Sequence, residues 1–532
     1  MLRELARLVA EAIAYDGLDE MQGLGAALAE TPGTVLILLD QMVAETRKKR
    51  PDDQLIQAFE FLLAEALAGL RRGVEDGHPK AVAEVATIQE RVAALIGPDT
   101  LGGDTAMQIL RQFTSARLDP GSAIRSAVAE RHEREVAALP EDGPDLNDLL
   151  AEMSEQIGDD IFAFQAEIVE QASLFPEGGR AALAAALLGL DNPALRDAAL
   201  GWLLDTDETT RRETAGLLQQ AAEAGRLGGV SLRRLIAMRN WLSEAERPAL
   251  DGVIRTLRRK GIEPTPLAPA GIRHILVTAV DGSGNRSLYL IAKDGRKQVL
   301  LSTLIKIGGG VTDAWTQSGL SKAEAEDTQQ ELILQAGCFE NDIAFVRTSL
   351  AHALAEGSAA GRLPSFWLVD VIERAGLTGL NPERLGPEEL VARLVADIPE
   401  ARLDARALDT ALAAGATWQD ELPWAQSWFE DGPAVSALLD RKRLAGKQRE
   451  TLMLEEYLPG RRHYWAETLA WTAFAAQRDP MAAGLWEHFA LLARELLGNR
   501  PLSQIPLMTV IARQTVEAWQ SRRKRVGVFP RE

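Results

Sequence analysis

One short stretch of β pattern interrupts a chain whose apolar residues otherwise recur at helical spacing. That interruption constrains the architecture more than any other feature. It runs from Arg273 to Lys306 and follows a break, Ile262-Glu-Pro-Thr-Pro-Leu-Ala-Pro-Ala-Gly271. The three prolines of the break cannot donate backbone hydrogen bonds, and each biases the residue before it away from helix. The stretch itself divides into three runs: Ile275-Leu-Val-Thr-Ala-Val280, Arg286-Ser-Leu-Tyr-Leu-Ile-Ala292 and Lys297-Gln-Val-Leu-Leu-Ser-Thr-Leu-Ile305. The turn Asp281-Gly-Ser-Gly-Asn285 separates the first two, and Lys293-Asp-Gly-Arg296 separates the last two. Asp294-Gly295 is a strong two-residue hairpin signal, because glycine accepts the positive φ such a turn demands. The spacing predicts a three-stranded antiparallel meander. Its strands show little polar alternation, so helices are expected over one face.

Helical spacing governs the rest. In Pro51-Asp-Asp-Gln-Leu-Ile-Gln-Ala-Phe-Glu-Phe-Leu-Leu-Ala-Glu-Ala-Leu-Ala-Gly-Leu70, Asp52 and Asp53 can cap the start. Leu55, Phe59, Leu62, Ala66 and Leu70 then share one face. Prolines and glycines break helical continuity at 139–144 and at 376–387. The expected organisation is an N-terminal helical region over 1–138, with about seven helices, and a second helical region over 145–261. The meander with its helices follows over 273–375, then a tryptophan-rich helical region over 388–532. Helices are expected at 321–336, 341–356, 363–375 and 387–396. The fold class is therefore mostly α. Trp418, Trp424, Trp428, Trp465, Trp471, Trp486 and Trp519 crowd the last region, where burial of their large apolar area is the expected use.

The second helical region carries a loose internal repeat. Asn192-Pro-Ala-Leu-Arg-Asp-Ala-Ala-Leu-Gly-Trp-Leu-Leu204 places proline in the first turn, then arginine, then paired alanines and a leucine stripe. Asp207-Glu-Thr-Thr-Arg-Arg-Glu-Thr-Ala-Gly-Leu-Leu218 repeats the outline, and Arg247-Pro-Ala-Leu-Asp-Gly-Val-Ile-Arg-Thr-Leu257 echoes it. Over about residues 177–260 this resembles HEAT-type helical repeats. The resemblance implies paired helices held close by small residues, with the arginine tying a turn.

A net charge of −19 repels nucleic acid and anionic membrane over most of the surface. Basic clusters at 47–50, 255–260, 441–449 and 522–525 lie at or near expected helix ends, where cations complement the negative end of the helix dipole. A lone cysteine, Cys338, excludes a disulfide within the chain and fits a reducing compartment. The first residues read as an amphipathic helix with Leu2, Leu5, Leu8, Val9 and Ala12 on one side, not as a signal peptide. The longest apolar runs, such as 181–190, fall short of a membrane span. The expectation is a cytoplasmic protein. Its wealth of alanine, arginine, glycine and leucine is the usage of a bacterial genome of high GC content.

No catalytic, cofactor or metal signature stands out. Asp281-Gly-Ser-Gly-Asn285 begins like a calcium loop, yet Ala292 sits where a bidentate glutamate is needed. Ile307-Gly-Gly-Gly-Val-Thr-Asp313 follows a strand and lies ahead of helical spacing, as phosphate loops do, but matches no nucleotide fingerprint. A bulged connection is the expected use. His463 and Glu467 lie one turn apart, with Glu455, Glu456, Glu487 and His488 nearby, but the Glu-x-x-His step of bundle metal sites is absent. If the β stretch binds a ligand, Asp281, Arg286 and Asp313 are its candidate contacts. The leading expectation is a non-enzymatic interaction or scaffold protein whose helical-repeat surface binds another protein or a peptide. One alternative is an enzyme with its site between the meander and the C-terminal helices. A second is a nucleic-acid-associated factor using the basic clusters. The sequence leaves oligomeric state open.

Overall fold

The computed structural model describes residues 2–14, 28, 33–75, 79–96, 109, 110, 112, 113, 116, 118–137, 150, 153, 160–172, 177–267, 269–441, 444–482 and 484–526. The chain forms two compact units. The first holds residues 1–151, 166–182 and 519–532, and the second 152–165 and 183–518.

In the first unit, helices α1 (Leu2–Ala14), α2 (Thr34–Thr46), α3 (Asp53–Glu75), α4 (Pro79–Ile96) and α5 (Gly121–Ala137) share one apolar core. Helix α3 buries Leu55, Phe59, Leu62, Ala66 and Leu70, the face its spacing predicts. Asp52 caps it by accepting from the Leu55 amide at 3.2 Å. Helix α1 turns differently from expectation. Ala6 and Val9 are buried while Leu8 is exposed, because the stripe that meets the core also includes Leu2, Leu5 and Ile13. Others of the seven helices expected before residue 138 fall outside the described residues.

From residue 193 the second unit runs through α6 (Pro193–Asp197, continued by a 3-10 segment to Leu204), α7 (Glu208–Glu223), α8 (Gly229–Met238) and α9 (Arg247–Arg259). Asn192 and Asp207 cap α6 and α7, accepting from the amides of Ala194 and Thr210. Each of the three sequence outlines holds an arginine that ties a turn, although Arg247 precedes its proline and Asp251 stands where Arg196 and Arg211 stand in theirs. Arg196 donates to the carbonyls of Leu190 and Asp191 at 2.7 Å. Arg211 donates to Asp205 and Thr206 at 2.8 and 3.0 Å. Arg247 donates to Leu242 at 3.1 Å and Asn240 at 3.4 Å. Each guanidinium ties down the turn that precedes its own helix.

The sheet has five strands, not three. They are β1 (Gly271–Val277), β2 (Asn285–Asp294), β3 (Lys297–Lys306), β4 (Gly310–Leu320) and β5 (Phe339–Glu340), in the order β4-β3-β2-β1-β5 with antiparallel neighbours. The hairpin at Asp294-Gly295 forms as expected, with Asp294 opposite Lys297 and Gly295 at φ 60°. The triple glycine 308–310 is a second hairpin turn, and β4 follows it where a helix could have begun. Polar residues disguise β4: Thr312, Asp313, Thr316, Gln317 and Ser318 resist a strand reading until β3 supplies a partner. Two-residue β5 is too short to signal itself.

Helices lie on both faces. α10 (Lys322–Leu334) sits over the face carrying Tyr289, Ile291 and Leu300. α11 (Ile343–Ala359) packs on β4, and α12 (Trp367–Ala375) packs on β3 and β4. Downstream, α13 (Pro387–Asp397), α14 (Arg462–Ala476) and α15 (Leu485–Leu497) pack together around buried aromatic rings. Trp418, Trp428, Trp465 and Trp471 are buried, and Trp428 meets Trp418 and Trp465 edge-on at 6.2 Å. This aromatic region grips the first turn of the sheet. Trp428 Nε1 donates to the Val280 carbonyl at 2.9 Å, and Tyr464 Oη donates to Gly282 at 2.8 Å. A side chain at Gly282 would strike the Ser427 carbonyl, 1.7 Å from where its Cβ would lie.

Candidate functional site

Strand alternation carries Arg286 into the interior. Arg286, Leu288, Leu290 and Ala292 are all buried on one face of β2, so an arginine occupies a position that the period of two reserves for the core. α11 brings two more polar groups to this region. Capped by Asp342 through the Phe345 amide at 2.9 Å, it is buried nearly all round over residues 349–357. His352 and Glu356, four residues apart, therefore project from one face into protein instead of solvent. α14 adds Glu467, with Trp471 one turn further on.

The four charged or titratable groups converge. His352 Nε2 lies 3.4 Å from Glu356 Oε2 and 3.4 Å from Glu467 Oε1. The Arg286 guanidinium stacks 4.1 Å above the Trp471 ring centre, and none of its nitrogens meets a protein acceptor. Gly308, in the glycine turn, donates its amide to Glu356 Oε2 at 2.9 Å. The exposed amide that made this turn resemble a phosphate loop thus serves one of the protein's own carboxylates. The turn also needs its glycines. Gly310 sits at φ 79°, and a Cβ there would lie 2.6 Å from Gly357 Cα on α11.

Burial depresses the Arg286 pKa to about 10, against the attraction of Glu356 and Glu467. Burial would also raise Glu356, but the contact with His352, the Gly308 amide and the Arg286 charge outweigh it and hold the carboxyl below its ordinary range. At His352 two influences compete. Burial disfavours the charged ring, yet the two glutamates prevail and lift its pKa. The Leu385 amide, however, donates to His352 Nδ1 at 3.1 Å and needs a lone pair that only the neutral ring offers. This backbone contact places the proton of the neutral ring on Nε2, facing both carboxylates.

Of the candidate ligand contacts Asp281, Arg286 and Asp313, only Arg286 joins this cluster. Asp281 organises its own turn, accepting from the amides of Ser283 and Asn285 at 2.8 Å. Asp313 pairs with Leu304, on the face of the sheet opposite Arg286. The His463 grouping does not assemble. His463 is exposed and meets Glu388 at 3.2 Å, Glu487 pairs with Arg402 at 2.8 Å, and Glu467 turns to His352. Cys338 is buried, and burial pushes its thiol up to about 12, so it stays protonated. His352 and Glu356 were the residues missed. Their signal was the four-residue step His352-Ala-Leu-Ala-Glu356, with only apolar residues between the two.

A second buried network joins α8 to α12. Arg234 bonds Asp197 at 2.9 Å and Glu373 at 3.2 Å, Arg233 bonds Glu373 at 2.8 Å, and Ser231 donates to Asp197 at 2.5 Å. Its groups bond one another, and Arg233 also donates to the Thr265 carbonyl at 2.6 Å, which suits a structural fastening.

Two family models match parts of the chain: Y4lR second domain over residues 176–261 and Y4lR C-terminal helical domain over 388–520. The first covers the helical array with its arginine-tied turns. The second covers α13, α14 and α15, and with them Glu467. The sheet and α11 lie outside both. The chain is also similar to "Uncharacterized protein y4lR" of Sinorhizobium fredii (strain NBRC 101917 / NGR234), 27% identical over 491 residues, which covers 90% of this chain and 91% of that one. No solved structure matches. Among the described residues, no helix is long and apolar enough to cross a membrane.

Proposed function

We propose that the chain is a non-enzymatic cytoplasmic protein that binds another protein or a peptide on a HEAT-like helical array. One observation carries the reading: Arg196, Arg211 and Arg247 each tie the turn before their own helix through backbone carbonyls. Three of the four helices α6 to α9 share this device, and packed helical layers commonly use their open surface for binding. Arg255, Arg258 and Arg259 are exposed on the last helix of the array, α9, and offer contacts to an acidic partner on an otherwise acidic protein. The test is cross-linking in the source cells followed by affinity purification of the full chain. Wild type is compared with a variant in which these three arginines are reversed to glutamate. A partner retained at constant stoichiometry by wild type and lost by the variant supports the reading. Retention of the same partners by both, or of none by wild type, refutes it.

A second reading, an enzyme whose site lies between the sheet and the C-terminal helices, draws on the convergence of Arg286, His352, Glu356 and Glu467. Converging titratable groups with shifted pKa values are the usual mark of such a site. An activity screen in which a turnover signal disappears in Glu467→Gln would favour it over the first. A signal that survives the substitution would dismiss the site.

A further inference from the structure

We propose that His352, Glu356 and Glu467 form a binding site for a divalent transition-metal ion of the zinc class. The inference shares its residues with the second reading but rests on their geometry, so it holds whether or not the site turns over a substrate. An N–H···O hydrogen bond runs about 2.7–3.2 Å between heavy atoms. The two His352 Nε2–carboxylate separations are both 3.4 Å, too long for that. They match another figure. Ligand atoms bound at about 2.1 Å at the corners of a tetrahedron stand about 3.4 Å apart, the spacing zinc sets between its nitrogen and oxygen donors. The three ligand atoms all lie within 4.8 Å of one another. His352 Nε2 is buried and makes no hydrogen bond, so a buried donor aims into the space between two carboxylates.

The surroundings fit a held ligand set. Glu356 is fixed by the Gly308 amide on the same oxygen that faces His352, the kind of outer contact that orients metal carboxylates. The glutamate from α14 is the least buried of the three, its side chain 13% exposed, and it gives an ion a way in. An imidazole with two carboxylates suits zinc, and less well the harder ions. Magnesium keeps near-ideal octahedral geometry, whose adjacent ligands at 2.0–2.1 Å stand only about 2.9 Å apart. Calcium prefers six to eight oxygens and takes no imidazole. Two features limit affinity. Arg286 places a positive charge beside the carboxylates. Binding through Nε2 also moves the ring proton to Nδ1, so the Leu385 amide contact must open.

The test uses the full chain, stripped with chelator, dialysed and titrated calorimetrically with zinc chloride, with magnesium chloride as control. One zinc per chain is expected, with no magnesium binding. Zinc affinity should fall at least tenfold in Glu467→Gln and stay unchanged in His463→Ala, which removes an exposed histidine from the same helix. Equal affinity in Glu467→Gln, or no zinc binding by wild type, would overturn the proposal. Cobalt(II) on the wild-type protein supplies a readout that needs no variant. An intense visible d–d absorption reports a tetrahedral site, and only the weak bands of the hydrated ion would count against one.

Discussion

Replacing Arg286 with methionine is expected to stabilise the second unit, although arginine is the obvious counter-charge for two glutamates. The guanidinium is 1% exposed, and no protein acceptor meets any of its nitrogens. Burial lowers its pKa from 12.5 to about 10, even with Glu356 and Glu467 pulling the other way. That drop corresponds to about 3–4 kcal/mol, at ~1.4 kcal/mol for each tenfold change in proton affinity. It is the net cost of holding the charge in the folded protein, with the attraction of the glutamates already counted. Against it stands the contact with Trp471 at 4.1 Å, whose loss costs roughly 0.5–2 kcal/mol. Methionine refills much of the volume, since it is unbranched and adapts to irregular gaps. The balance is a gain of about 1–3 kcal/mol by these principles. Removing one member of a buried ion pair ordinarily costs about 3–5 kcal/mol, but Arg286 hydrogen-bonds neither glutamate. Urea unfolding followed by tryptophan fluorescence measures the effect. Of the eleven tryptophans only Trp519 lies in the first unit, so the signal reads the second. A higher midpoint at unchanged slope is the expected result. A loss of about 1 kcal/mol or more would refute the reasoning and show that the glutamates depend on Arg286 directly.

Four further outcomes follow from the packing. Trp465→Ala should cost about 3–5 kcal/mol, because the ring is fully buried. It also donates to Glu430 at 2.8 Å, and an unchanged urea midpoint would place the ring outside the core. Gly310→Ala should lower stability by about 2–4 kcal/mol, since it combines the strain of positive φ with overpacking. Its Cβ would press on α11, and a midpoint equal to wild type would contradict the close approach of the turn. Cys338 should resist a thiol reagent at pH 8 in the native protein and react fully in denaturant, because burial holds its thiol at about 12. Rapid native labelling would show the thiol to be open. Asp370 has its carboxyl raised above 3.8 by burial despite Arg374 and Thr316, so the folded state binds its proton more tightly. Its contribution is fully present at low pH and fades as pH rises from 3.8 through the folded value. Asp370→Asn should remove that slope from the stability–pH curve, and an identical slope in the variant would dismiss the assignment.

The sequence by itself determined the local elements. A period of three and four fixed the buried face of α3, and Asp294-Gly295 fixed the turn between β2 and β3. Both signals lie within a few residues of the structure they specify, so neither needs the rest of the chain. The turn-tying roles of Arg196 and Arg211 are local for the same reason, since their partners are the carbonyls of the turn just before each helix. Tertiary structure alone decided β4, whose polar run becomes a strand only through pairing with β3. It also decided the charged cluster. Spacing set Glu467 beside His463 on one helix, whereas packing left His463 in solvent and turned Glu467 to His352 on another. His352 and Glu356 share a helical face by their step of four, but only the close packing of the α11 region withdraws that face from water. Helical and strand periods act over a turn or two. The meeting of Arg286, His352, Glu356 and Glu467 depends on which apolar faces bury one another across the whole unit, and no local pattern records it.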